Sequence, residues 1–219
     1  MISRQLVLAH RGLWSNPREQ NSFDALLKAI EMGFGVETDI RDLNREIVIS
    51  HDPPTGDELQ LDHFLEAASE LENGTILALN VKSDGLMSLI DPNVFDILPK
   101  GSFFFDMSGP EALRYHRADL PTATRLSEFE GMPNLRAAGN KNCETIWLDS
   151  FHSDWWVDVV PDELVPDGCT AYIVSPELHG REPGLAWERL KERDWKRKTV
   201  GICTDLAVEF CHFMGGSVA

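Results

Sequence analysis

The sequence predicts an α/β fold, a (β/α)8 TIM barrel built as a single domain over residues 1–219. Three observations predict it. Short β-branched or apolar runs alternate with helical stretches down the whole chain, which is the pattern of βαβ units on a parallel sheet. Eight such units fit within 219 residues, at the small end of the range for this barrel. No Gly-x-Gly-x-x-Gly follows the first run, so the alternative of an open, doubly wound nucleotide-binding sheet loses support.

Residues 6–9 read as strand one. Ser22 opens a helix that runs to Gly33. Its hydroxyl suits a cap, Phe23, Leu26, Leu27 and Ile30 recur at helical spacing, and Gly33 and Gly35 stop the run. Residues 36–40 form strand two, with 47–50 as a hairpin arm beside it. The polar stretch 53–59 is a loop. A helix over 61–71 leads to strand three at 75–81. A helix over 86–98, awkwardly holding Pro92, leads to strand four at 103–105. A short helix over 110–116 precedes strand five at 122–126. A weak segment at 134–138 precedes strand six at 145–148, and a helix candidate at 155–160 precedes strand seven at 171–174. A helix over 183–193 leads to strand eight at 199–203, and a last helix covers 206–214.

Composition excludes several function classes. The chain carries 20 Lys and Arg against 36 Asp and Glu, a formal charge of −16. That charge repels phosphate backbones at long range, so no nucleic-acid partner is expected. No apolar run approaches the roughly 18 residues of a membrane span. Cys143, Cys169, Cys203 and Cys211 form no Cys-x-x-Cys pair, which speaks against a zinc ribbon or a disulfide framework and for reduced, mostly buried thiols. The first apolar run is too short for the core of a signal peptide. These features predict a cytoplasmic protein acting on a small molecule, with its oligomeric state open.

In this barrel, chemistry collects at the C-terminal ends of the strands. His10 and Arg11 follow strand one, Glu37 and Asp39 lie on strand two, and His51 and Asp52 end the hairpin arm. Asn80 and Lys82 end strand three. Asp106, Arg125, Asp149 and Asp205 stand at later tips. Residues two apart on a strand face the same way, so Glu37 and Asp39 point together, as do Asn80 and Lys82. Two adjacent carboxylates repel. A divalent cation, Mg²⁺ or Ca²⁺, relieves that repulsion, with Asn80 adding a neutral oxygen; so do ion pairs with Arg41, Arg45 or Lys82. Unperturbed histidines titrate near neutrality, so His10 and His51 suit an acid–base pair, although a single histidine at a strand end is more often structural or solvated. Arg11 and Lys82 supply charge for an anion, and Arg125 is a further candidate for holding the substrate. Trp147, Phe151, Trp155 and Trp156, near strand six, either line a ligand groove or pack in the core.

These residues resemble the glycerophosphodiester phosphodiesterase family. The resemblance runs through His10-Arg11-Gly12, then Asn21-Ser22-Phe23-Asp24-Ala25-Leu26, then Gly35-Val36-Glu37-Thr38-Asp39, then Ile47 to Asp52, and ends at Leu79-Asn80-Val81-Lys82. It is strong over about the first 82 residues and thin beyond them. It implies a metal-dependent hydrolase of a small-molecule phosphodiester, attacked by water or by a neighbouring substrate hydroxyl. In that reading His10 and His51 are the acid–base pair, Glu37, Asp39 and Asn80 hold the cation, and Arg11 and Lys82 touch the phosphate. The chain departs from the family in three ways: Asn80 stands where an acidic ligand is usual, Gln20 stands where Glu precedes Asn, and the small subdomain usual after His-Asp is reduced to a loop. These departures motivate the alternative of a weakened barrel that binds a phosphorylated ligand or a partner. A glycoside hydrolase using Glu37 and Asp149 is a further alternative, but it leaves both histidines unexplained.

Overall fold

The computed structural model describes residues 2–71, 74–90, 97–130 and 145–216. Its elements, in chain order, are β1 (Val7–His10), α1 (Phe23–Glu31), β2 (Gly35–Leu43), β3 (Glu46–Ile49), β4 (Leu59–Gln60), α2 (Leu61–Glu70), β5 (Leu77–Val81) and β6 (Phe103–Phe105). They continue with α3 (Gly109–Arg117), β7 (Ala123–Leu126), β8 (Thr145–Leu148), α4 (Pro161–Leu164), β9 (Thr170–Val174), α5 (Gly184–Glu192), β10 (Thr199–Thr204) and α6 (Ala207–Phe213).

Among the described residues eight parallel strands follow one another in a barrel order whose two ends meet at a single bridge. β1 pairs with β2, β2 with β5 and β5 with β6; β7 pairs with β8, β8 with β9, β9 with β10, and β10 returns to β1 with Cys203 opposite Leu8. The junction of β6 and β7 is the thinnest: a single parallel bridge joins Phe104 to Thr122, and the Phe104 N–H donates to the Pro121 carbonyl at 2.9 Å. β3 and β4 stand outside the ring as an antiparallel flap on the far end of β2.

The barrel follows from strand patterning. Outward residues such as Val7, Val36, Leu79, Ile146, Ile173 and Ile202 join one large apolar cluster with Leu26, Ile30, Phe64, Leu190 and Phe210 of the surrounding helices. Inward residues form a second, smaller core of Leu8, Ala78, Phe103, Phe105, Trp147, Tyr172, Val174 and Cys203. Both strand faces are therefore buried, which is why the strands read as nearly continuous apolar runs. Gly201 makes room inside: a Cβ there would stand 2.7 Å from the Tyr172 ring. The tip of β1 turns sharply, with Arg11 at φ 56° and Gly12 at φ 88°. A Cβ on Gly12 would meet the Ala25 carbonyl at 2.6 Å, so glycine lets the first turn of α1 close over the tip of β1. Ser22 caps that helix, its hydroxyl accepting from the Ala25 N–H at 3.3 Å.

The eight ring strands match the expected eight within one to three residues at their ends. The expected hairpin arm is β3, antiparallel to β2 and shifted by one residue; the largest difference is β2 itself, which continues three residues beyond its expected end to Leu43. The helix expected over 155–160 is a 3-10 turn, Trp155–Asp158, followed by α4. Pro161 explains the break, since the residue before a proline is held extended, and Val160 sits at φ −63°, ψ 144°. Of the helix expected over 86–98, the 3-10 turn Leu86–Ser88 is seen, while residues 91–96 lie outside the described residues, as do the segment 134–138 and Cys143. Cys203 and Cys211 are buried and Cys169 half-buried, all free thiols. No helix among the described residues is long and apolar enough to cross a membrane.

Candidate active site

The inward face of the barrel turns from apolar to ionisable at its C-terminal rim. His10 ends β1, Glu37 and Asp39 lie on β2, Asn80 on β5 and Arg125 on β7; Asp149 and Asp205 follow β8 and β10. Glu37 and Asp39 are almost entirely buried, at 1% and 0% exposure. Two bare carboxylates at that depth are untenable, so their partners define the site.

Asp39 is the better satisfied. Arg11 Nε lies 2.9 Å from Oδ2 and Lys82 Nζ 3.2 Å from Oδ1, and Asn21 Nδ2 donates to Oδ2 at 2.8 Å. Asn21 is itself fixed by the Thr38 hydroxyl, which donates to Oδ1 at 2.8 Å. Burial opposes ionisation of Asp39, but the two cations and the Asn21 amide outweigh it, so its pKa lies below the usual carboxylate range. Arg11 is anchored from both sides: its N–H donates to the Glu37 carbonyl at 2.9 Å and its guanidinium to Gln20 Oε1 at 3.2 Å.

Glu37 is the strained partner. Asn80 Nδ2 donates to its Oε1 at 3.2 Å, and His10 Nε2 stands 3.9 Å from its Oε2. Burial and the neighbouring Asp39 charge push its pKa up to about 7, against the pull of His10, Lys82 and Arg11. Among the described residues, Glu37 Oε2 and Asn80 Oδ1 are buried and accept no hydrogen bond, while Asp39 Oδ1 has only the Lys82 ion pair. Among the described residues no group of three or more His, Cys, Asp and Glu is placed to hold a metal ion. The trio at this rim contains an Asn and so falls outside that set.

His10 is half-buried, and its Nδ1 is paired with Asp205 Oδ1 at 2.7 Å, which leaves Nε2 directed toward Glu37. Burial lowers the His10 pKa, but the Asp205 hydrogen bond and the Glu37 and Asp205 charges together raise it above its ordinary value. Asp205 is held in turn by Glu177, whose Oε1 accepts from its N–H at 3.2 Å and from the Thr204 hydroxyl.

The other expected residues are placed differently. Ser50 N–H donates to the Asp39 carbonyl at 3.0 Å, so the hairpin returns His51 to the level of the rim. The His51 side chain is 45% exposed and its hydrogen bond goes to Asp52, at 3.0 Å. Arg125 is held between Asp106 and Glu130, with Nε 2.6 Å from Glu130 Oε2. Trp147 and Trp156 are buried in the two cores, and Trp155 donates to the Asp149 carbonyl at 2.7 Å. His179 was not foreseen. It follows β9, and its Nε2 is paired with Asp149 Oδ1 at 2.6 Å. The sequence signal for it is weak, because it stands five positions beyond the end of its strand.

The raised Glu37 pKa has a consequence for stability. An acid whose pKa is higher folded than unfolded binds more protons when folded, so stability falls as pH rises between the two values. Metal-free protein is expected to lose up to about 3 kcal/mol from this group between pH 4.5 and about 7. Urea midpoints across that window check it. Glu37→Gln should remove most of the slope; an unchanged slope in the variant would place its origin elsewhere.

No protein-family model matches the chain, and no curated protein does. Solved structures do. A glycerophosphodiester phosphodiesterase from Agrobacterium tumefaciens str. C58 superposes with a TM-score of 0.64 at 14% identity, over 99% of this chain and 100% of that one. A glycerophosphoryl diester phosphodiesterase from Parabacteroides distasonis ATCC 8503 gives 0.71 at 16% identity, over 98% and 86%. A dihydropteroate synthase from Xanthomonas albilineans gives 0.55 at 10% identity, over 98% and 91%. The shared property is the TIM barrel; two chemistries on one scaffold leave the activity to be argued from the site.

Proposed function

We propose that this chain, which shares its barrel with solved phosphodiesterases, hydrolyses a small-molecule phosphodiester with the help of a divalent cation, Mg²⁺ or Ca²⁺. One observation carries the reading: His10, paired with Asp205, stands over the buried Glu37 beside Asp39, Asn80, Arg11 and Lys82 at one end of the barrel. Such a site matches an anionic ligand that needs both charge neutralisation and proton transfer.

The unbonded oxygens of Glu37 and Asn80, with Asp39 Oδ1, fit a hard cation. When bound there, the cation supplies Lewis-acid stabilisation of charge on the phosphoryl oxygens. Arg11 and Lys82, held by Asp39, add fixed positive charge to the same end. His10 Nε2 takes the proton of the attacking oxygen, with Asp205 holding the ring through Nδ1. The departing alcohol needs a proton from a second imidazole at the rim, the role that the resemblance gives to His51.

The test is purified protein with Mg²⁺ or Ca²⁺ against bis-p-nitrophenyl phosphate and glycerophosphodiesters, with and without a chelator. Metal-dependent release of alcohol is expected. The second reading, a barrel that binds a phosphorylated ligand without turnover, is motivated by Asn80 in place of an acid and by Arg125 being closed in by Asp106 and Glu130. Calorimetric phosphate binding with no turnover under any metal would favour it.

A further inference from the structure

We infer that His179, held by Asp149, donates the proton to the departing alcohol, so that the barrel rim carries two His–Asp pairs with complementary tasks. The inference rests on the phosphodiesterase reading and assigns the second half of its proton transfer.

The two pairs are built alike. Asp205 follows β10 and Asp149 follows β8, each on the inward parity of its strand, and β9 lies between them. A strand spacing of about 4.8 Å puts the two carboxylates on the order of 10 Å apart across β9. His10 is held through Nδ1 and presents Nε2; His179 is held through Nε2 and presents Nδ1, for which no protein partner is recorded among the described residues. Both rings are partly exposed, at 17% and 23%, against 45% for His51.

The mounting of His179 is rigid. Asp149 is 7% exposed, and its Oδ1 also accepts from the Ser150 N–H at 2.9 Å. The Phe151 ring packs on the imidazole with centroids 4.7 Å apart. His179 ends the 3-10 turn Pro176–His179, which also carries Glu177, the residue that holds the Asp205 N–H and the Thr204 hydroxyl. The same turn starts beside Ser175, whose hydroxyl donates to Glu177 and accepts from the Trp187 indole at 2.9 Å. One rigid turn thus ties the support of His10 to the position of His179, the kind of second-layer bracing that acid–base geometry requires. The cations elsewhere on the rim are committed: Arg11 and Lys82 to Asp39, Arg125 to Asp106 and Glu130, and Arg181 to Asp154 at 3.0 Å.

The step balances. The attacking O–H gives its proton to His10 Nε2 as the new P–O bond forms. The P–O bond to the alcohol breaks, its electron pair stays on oxygen, and that oxygen takes the Nδ1 proton of a doubly protonated His179, which keeps its Nε2 proton and donates it in a hydrogen bond to Asp149. Solvent exchange restores both rings.

Leaving-group chemistry tests this in the intact chain with Mg²⁺. An alkyl diester, glycerophosphocholine, needs its leaving oxygen protonated; bis-p-nitrophenyl phosphate does not, because p-nitrophenolate departs as the anion. His179→Gln is expected to lower kcat on the alkyl ester about 10²–10⁴-fold and on the aryl ester only a few-fold. Asp149→Asn, which removes a positioning group, should show the same selectivity with a smaller loss. An equal loss on both esters would mark a structural role and overturn the assignment, as would no loss on either. Selective loss in His51→Ala with His179→Gln unaffected would overturn it in favour of His51. A parent protein inactive on both esters would bring down the phosphodiesterase reading, and this assignment with it, whereas an active parent with an unaffected His179 variant would bring down the assignment alone.

Discussion

His10→Ala is expected to lower kcat on a phosphodiester by about 10²–10⁴-fold with little change in KM. The ring is 17% exposed and its polar contacts are Asp205 and Glu37, both on the rim. Removing it deletes the group that meets the attacking oxygen and leaves the phosphate contacts in place. The cost in stability should be small, because Asp205 is still held by the Glu177 bond to its N–H and is open enough to be solvated. Parallel kinetics and urea unfolding check both halves. Turnover equal to the parent's, in a variant that unfolds at the same denaturant concentration, would remove the central group of the proposed mechanism.

Asp39→Ala is expected to produce the largest loss of stability, about 3–5 kcal/mol by urea unfolding at pH 7. The substitution strands Arg11 and Lys82 beside a cavity and leaves the Asn21 amide without its acceptor. One effect opposes this loss: the repulsion that raises Glu37 disappears. The loss wins on count, since three partners at 2.8–3.2 Å are orphaned against one repulsion relieved. Asp39→Asn keeps an oxygen for Asn21 and should lose less. A variant as stable as the parent would show that solvent reaches the two cations and replaces the carboxylate.

Much of this was legible in the sequence. The alternation of apolar runs and helical stretches fixes eight strands, because a strand buried on both faces has to be apolar throughout. Period-two spacing places Glu37 with Asp39 on one side of β2, and the rim position of His10 follows from where β1 ends. The resemblance over the first 82 residues named His10, Arg11, Glu37, Asp39, Asn80 and Lys82, which lie together, and also His51, whose exposed side chain bonds to Asp52. Other features were hidden. Trp147 and Trp156 looked equally suited to a groove and to a core, and only packing settles them as buried. The ion pairs offered for Glu37 and Asp39 were with Arg41, Arg45 or Lys82; the contacts belong to Lys82 and to Arg11, whose backbone turn at φ 56° aims the side chain back over β2. Arg125 carries no mark in the sequence that Asp106 and Glu130 would claim it.

The sequence by itself determined the barrel, the polarity of its rim and the shared face of Glu37 and Asp39, since those rest on side-chain alternation and on local chain direction. The tertiary structure alone decided the partners. Asp205 lies 195 residues from His10, and Asp149 lies 30 from His179. Closure of the ring sets β10 against β1, and the turn after β9 returns His179 over the tip of β8. Contacts between distant segments depend on how strands and loops meet in space, which no periodicity within a single segment can encode.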